Sequence, residues 1–149
     1  MTMKLVGTLQ LVGDPQRRLL AWARRAQGLT GTWPEGSTAI ACVDGPNETI
    51  RAVMVVDPPT GLNAFIHIAS DGTRRFATRR IIRGVFGYLF VLRGFTRATA
   101  IVPANNMSVQ IMLLKLGFVF EGRMSAACDG QDGIVLGMTA ENCHWIKGD

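Results

Sequence analysis

Hydrophobic residues along this chain fall into short blocks whose period changes from block to block. Lys4 to Val12 is an apolar segment that predicts a first strand. Asp14-Pro15 then supplies an N-cap and a proline at the first helical position, and Leu19, Leu20, Trp22, Ala23 and Ala26 continue at helical spacing up to Gly28. This predicts a helix that ends near Gln27. Leu29 to Gly36 has loop composition, and its Trp33 is expected either to plug the core or to line a substrate wall. Three apolar runs follow, Thr38 to Val43, Ile50 to Val56 and Leu62 to Ala69, separated by Asp44-Gly-Pro-Asn and Asp57-Pro-Pro-Thr-Gly. Turn chemistry at that spacing predicts an antiparallel meander of three strands.

From Arg75 to Arg93 the pattern becomes helical, carried by Phe76, Ile81, Ile82, Val85, Phe86, Leu89, Phe90 and Leu92. Gly84 and Gly87 fall inside it, each costing about 1 kcal/mol relative to alanine, so a close neighbour to that backbone is expected. Thr96 to Val102 reads as a strand stopped by Pro103. Asn105-Asn106 is placed to cap a third helix over Met107 to Leu116, with Gly117 as its left-handed stop. Phe118 to Ala127, the turn-like Asp129-Gly-Gln-Asp-Gly133, and Ile134 to Thr139 then predict a closing hairpin. The order β-α-βββ-α-β-α-ββ is best buried as an α/β fold, one sheet with helices on both faces.

A length of 149 residues suits one domain over 1–149, and 48% hydrophobic content against 18% charged fits a folded globule rather than a disordered chain. The net charge is +5, and 13 of the 16 basic residues are arginine, whose forked guanidinium suits phosphate or carboxylate. A phosphate-bearing partner is therefore expected, either a nucleotide cofactor or nucleic acid; a solvated basic face is the alternative. Cys42, Cys128 and Cys143 show no CxxC spacing, so neither a metal site nor a disulfide framework is indicated, and a reducing, cytoplasmic setting is expected. The most apolar run, Ile81 to Leu92, is too short to span a bilayer and is interrupted by Arg83.

The stretch from Asn106 through Leu113, Lys115, Gly117 and Phe118 to Glu121-Gly122 resembles the pattern N-x-x-(S/A)-x-x-x-(L/Y)-x-K-x-G-F-x-x-E-G of the GNAT superfamily, the Gcn5-related N-acetyltransferases, with Val109 at the small-residue position. It is most similar to the branch that acetylates protein N-termini and ribosomal proteins. Independently of the name, Gly117 supplies the positive φ that turns helix into strand, and Phe118 can fold back beneath the helix. Asn106 is fully explained as an N-cap, and the resemblance implies that it also faces the CoA arm.

The resemblance implies a GNAT-like, mixed, mostly antiparallel sheet and acetyl-CoA as cosubstrate. It also implies an oxyanion site from backbone groups at the end of the fourth strand, Ile68, Ala69 and Ser70. The pyrophosphate loop of the family corresponds to Arg74, Arg75, Phe76, Ala77, Thr78 and Arg79, with Ala77 where the first glycine is expected. Arg74, Arg75, Arg79 and Arg80 crowd the expected positive end of a helix, a placement that favours a compensating anion. Arg75, Arg79 and Arg83 are expected to form one stripe along it.

Direct acyl transfer needs a base, and His67 is the leading candidate because an imidazole titrates near neutrality; a plain strand histidine is the competing reading. Glu121 is the second candidate, with Glu48 and Asp57 behind it. The family's acidic tyrosine corresponds to Leu113, and the single tyrosine, Tyr88, lies in another helix. Ser70, Ser108 and Cys128 remain as proton donors. The expected function is N-acyl transfer from acetyl-CoA to an amine by direct attack. The alternatives are a catalytically silent GNAT-fold binding or structural protein, such as a phage virion component, and a GNAT directed at nucleic acid. A homodimer or a phage particle is compatible with these readings, and the acceptor is unspecified.

Overall fold

A computed structural model describes residues 3–7, 14–28 and 32–148 of the chain. Its elements are β1 (Met3–Val6), α1 (Asp14–Ala26), β2 (Thr38–Asp44), β3 (Thr49–Val56), β4 (Asn63–Ser70), α2 (Arg79–Phe86), a π-helical turn (Gly87–Leu92), β5 (Arg97–Pro103), α3 (Met107–Leu116), β6 (Val119–Cys128) and β7 (Gln131–Thr139), followed by a 3-10 turn at His144–Ile146. The strands make one sheet in the order β1-β2-β3-β4-β5-β7-β6. Every neighbouring pair is antiparallel except β4 and β5, which run parallel. The element order and the three-strand meander are those the sequence predicts. Residues 8–12 of the expected first strand and residues 29–31 of the expected loop lie outside the described residues.

Strand periodicity splits the core into two layers. On one face Leu19 and Ala23 of α1 pack on Ala39, Ala41, Val53, Val55 and Ala69. On the other, Ile40, Met54, Ile66, Ala100 and Leu136 meet Phe86 of α2, Leu89 and Phe90 of the π-helical turn, and Leu113 of α3. Gln16, buried on α1, stitches helix to sheet: its amide nitrogen donates to the carbonyls of Gly7 and Ala39 at 2.8 and 2.9 Å, and its Oε1 accepts from the Ala39 amide at 2.7 Å.

The helix expected over Arg75 to Arg93 is shorter and divided. Thr78 has an extended backbone and its hydroxyl accepts from the Ile81 amide, so α2 begins at Arg79 and Arg75 is not on the helix. The arginine stripe is reduced to Arg79 and Arg83. A close backbone approach exists at Gly84, where a Cβ would stand 2.6 Å from the Leu5 side chain of β1. Gly87 has nothing within 4 Å of such a Cβ and instead opens the π-helical turn, so the expectation of a close neighbour fails there.

At the other end of the sheet, Asn106 caps α3 by accepting from the Val109 amide, and Gly117 ends it with φ 112°. The Gly117 and Phe118 amides close the helix on the carbonyls of Leu114 and Leu113. Phe118 is 2% exposed and tilts against Phe86 at a centroid distance of 6.2 Å, so the helix stop and the core anchor are consecutive residues. Gly117→Ala is expected to cost about 1–3 kcal/mol through backbone strain. Phe118→Ala is expected to cost about 3–5 kcal/mol through the cavity it leaves. Urea unfolding of both variants checks the ranking.

Candidate active site

β4 and β5 pair over only three positions, Asn63 with Arg97, Ala64 with Ala98 and Phe65 with Thr99. Beyond Phe65, β4 remains hydrogen-bonded to β3 as far as Ser70, and β5 remains paired to β7 as far as Pro103, so the two strands part as a V. The Asp57 amide bonds the Phe65 carbonyl and the Asp71 amide bonds the Arg51 carbonyl. Antiparallel alternation therefore turns the main chain of Phe65, His67 and Ala69 toward β3 and that of Ile66, Ile68 and Ser70 into the gap. Of the three residues expected to supply oxyanion donors, Ile68 and Ser70 turn their amides into the gap. Ala69 spends its own on β3 and reaches the cleft only as part of its wall.

The gap opens into a cleft of about 770 Å³. Its walls include His67, Ile68, Ala69 and Ser70 of β4, Ile101 and Pro103 of β5, and Asn106, Val109 and Met112 of α3. Arg24 and Gln27 at the end of α1, together with Trp33, line the same cleft, as do Ala127, Cys128 and Asp129 at the β6–β7 turn. The wall thus draws on both faces of the sheet, α3 on one side and α1 with Trp33 on the other.

His67 is on the α1 face. Its Nε2 lies 2.8 Å from Asp57 Oδ1, and since a carboxylate only accepts, Nε2 is the donor in this contact and Nδ1 is the ring nitrogen that Asp57 leaves free. The Trp33 ring lies 5.1 Å from the imidazole, and the Arg24 guanidinium stands 4.3 Å over the same indole. Trp33 is itself tied by its Nε1–H to the Leu20 carbonyl at 2.9 Å. The two expectations for Trp33 therefore hold together: it packs against the α1 core layer and lines the cleft.

On the α3 side, Arg74 reaches the N-terminus of the helix, where it donates to the Ser108 hydroxyl at 2.5 Å and to the Ser108 carbonyl at 3.3 Å. A guanidinium and the first turn of a helix thus share one rim of the cleft. Among the expected cofactor residues, Ile68, Ala69, Ser70, Arg74 and Asn106 come together on the cleft wall. Arg75, Phe76, Ala77, Thr78 and Arg79 are not on that wall; Phe76 packs instead toward Met3, Cys42 and Ile81. Leu113 is fully buried in the core, so the helix offers no acidic side chain at that position.

Glu121 lies apart from the cleft. It occupies a bulge on β6, over Gly137, and forms a two-bonded pair with Arg97, Nη1 to Oε2 at 3.1 Å and Nη2 to Oε1. The Arg97 guanidinium holds its carboxyl below the usual carboxylate range. Glu48 is likewise engaged elsewhere, by Lys4 at 2.7 Å. Asp57, a weaker candidate in the sequence, is the carboxylate the fold gives to His67. Cys128, a proton-donor candidate in the sequence, lies on the wall at the β6–β7 turn, whereas no spacing in the sequence links Arg24 and Gln27 at a helix end to residues about a hundred positions later.

Neither a protein-family model nor a curated protein matches the sequence. Solved structures do. A variant of the spermidine N-acetyltransferase SpeG from Vibrio cholerae superposes with TM-score 0.75 at 12% identity, over 97% of this chain and 96% of that one. The same enzyme in complex with manganese ions gives TM-score 0.70 at 13% identity, over 92% of each chain. The ribosomal-protein-S5-alanine acetyltransferase from Vibrio fischeri gives 0.62 at 18% identity, over 89% of this chain and 72% of its own. The chain shares the GNAT fold with these enzymes.

The Arg97–Glu121 pair yields a pH prediction. A carboxyl whose folded pKa is depressed contributes stability above its unfolded value, and that contribution disappears as pH falls through the folded value. Glu121→Gln is expected to be less stable than the parent at neutral pH by under about 1 kcal/mol, the range of a partly exposed pair. The difference is expected to vanish in acid. Unfolding curves at a series of pH values check it, and a constant difference down to low pH would remove the ion pair as the cause.

Proposed function

We propose that this protein is an acyl-CoA-dependent N-acyltransferase that moves an acetyl group from acetyl-CoA to an amine by direct attack. The observation that carries this reading is the V between β4 and β5. It turns the main chain of Ile68 and Ser70 toward a cleft whose rim carries Arg74 and the start of α3 on one face. An extended amide-containing arm can continue the interrupted ladder along β4, and Arg74 beside the helix N-terminus suits the phosphates of the same molecule.

On the other face, His67 takes the proton of the incoming ammonium on Nδ1, while Asp57 stabilises the imidazolium that forms. The freed nitrogen attacks the thioester carbonyl and the oxygen takes up negative charge, which the Ile68 or Ser70 amide is positioned to receive. The C–N bond forms, the carbonyl re-forms as the C–S bond breaks with its electron pair, and the departing thiolate takes up the second proton of the adduct nitrogen, leaving neutral amide and thiol. The structural neighbours offer two acceptor chemistries, a polyamine and an alanine of a ribosomal protein.

Calorimetric and thermal titration with acetyl-CoA tests the reading. Ligand at 100 times its dissociation constant is expected to stabilise the chain by about 2.7 kcal/mol, and Arg74→Ala is expected to weaken that binding. In a thiol-release assay with an accepted amine, His67→Ala is expected to lower kcat/KM by about 10²–10⁴-fold with acetyl-CoA affinity retained. Binding without turnover for any amine would favour a catalytically silent GNAT-fold protein. No binding to any acyl-CoA would exclude the transferase reading.

A further inference from the structure

The charges on the cleft are separated by function. Arg74 is committed to the α3 rim through Ser108, on the side assigned to the phosphates. Arg24 is on the α1 side, where it and His67, the partner of Asp57, both neighbour the Trp33 indole and line the same cleft. Its contacts among the described residues are the Trp33 face and one hydrogen bond from Nη2 to the Thr32 carbonyl at 2.9 Å, and its Nε is buried without a hydrogen-bond partner. A guanidinium has five N–H donors, so one bond leaves most of them unspent next to an apolar ring. Carboxylates on the same wall, Asp57 and Asp129, are where an ammonium would be received.

We infer that the acceptor is a short zwitterion, a primary amine carrying its own carboxylate or phosphate, with the anionic end held by Arg24 and the amine directed to His67 and Asp57. The inference rests on the transferase reading above. Arg24 and His67 both stand within about 5 Å of one indole ring, 4.3 and 5.1 Å from its centre, so a molecule that touches both is compact. Trp33, which lines the same cleft, offers an apolar edge against which its carbon chain packs. A polyamine meets the opposite situation, since its second ammonium would be set against the Arg24 guanidinium at a cost in Coulomb energy that a low-dielectric cleft enlarges. Arginine is suited to the task because its fork binds carboxylate or phosphate through two parallel bonds.

Matched acceptors test this. Acetyl-CoA turnover would be measured with short ω-amino acids, with the corresponding amino amides in which the charge is removed, with aminoalkyl phosphates, and with spermidine. The expected result is a kcat/KM for the acid or the phosphate about 10–100-fold above that for the amide, expressed mainly in KM, with spermidine lowest. Arg24→Gln is expected to bring the acid-to-amide ratio toward one; a melting curve confirms that the variant is folded, and the parent's ratio tests the proposal without it. Preference for the phosphate over the carboxylate identifies which anion the fork selects. Equal rates for acid and amide, or a preference for spermidine, would overturn the zwitterion proposal and leave the transferase reading intact. Failure of acetyl-CoA to bind would overturn both.

Discussion

Every feature of the cleft depends on the shortness of the parallel contact between β4 and β5. Each of these strands is held along its outer flank by an antiparallel neighbour, β3 for one and β7 for the other, and by each other only at Asn63 to Phe65. Past that point the sheet twist carries them apart, and Val109 and Leu113 of α3 line the wedge beneath the opening. A backbone polar group that loses its ladder partner must be satisfied in some other way, so a parted strand pair is costly unless it lies open to solvent or to a ligand. Here the parted edges are those of Ile68 and Ser70 on β4 and Ile101 on β5, and all three residues line the cleft.

Around this opening the fold distributes charge by face. The α3 side carries Arg74 with the helix N-terminus, an arrangement that favours anions. The α1 side carries an imidazole and carboxylate pair with an indole and a guanidinium beside it. A thioester entering from one side and an amine from the other would meet at the gap without crossing paths, which is how a sheet can bring two substrates together without a deep pocket. Glu121 shows how an acidic residue inside a family-like motif can have a structural duty instead, since its pairing with Arg97 joins β6 to β5 across the Gly137 position of β7.

Local chemistry was legible in the sequence wherever a single residue type decides a backbone state. Asn106, Gly117 and Phe118 mark the start, stop and anchor of α3 because capping, positive φ and aromatic burial act within a few residues. The turns at Asp44 and Asp57 separate the meander strands for the same reason. The second helix was misjudged because apolar spacing continues through Arg75 to Arg93, whereas the Thr78 cap and the π-helical turn at Gly87 are choices between near-equal hydrogen-bonding patterns that packing decides.

By itself, then, the sequence determined the order of elements, the capping of α3 and the place of His67 on the fourth strand, because each follows from periodicity or from the chemistry of one side chain. Only tertiary structure decided that Asp57 partners His67, that Arg24 and Trp33 come to the same cleft, and that Glu121 is paired off with Arg97. The physical reason is that those contacts bridge elements distant in the chain, and their geometry depends on where two strands stop pairing, a property of the whole sheet rather than of any local stretch.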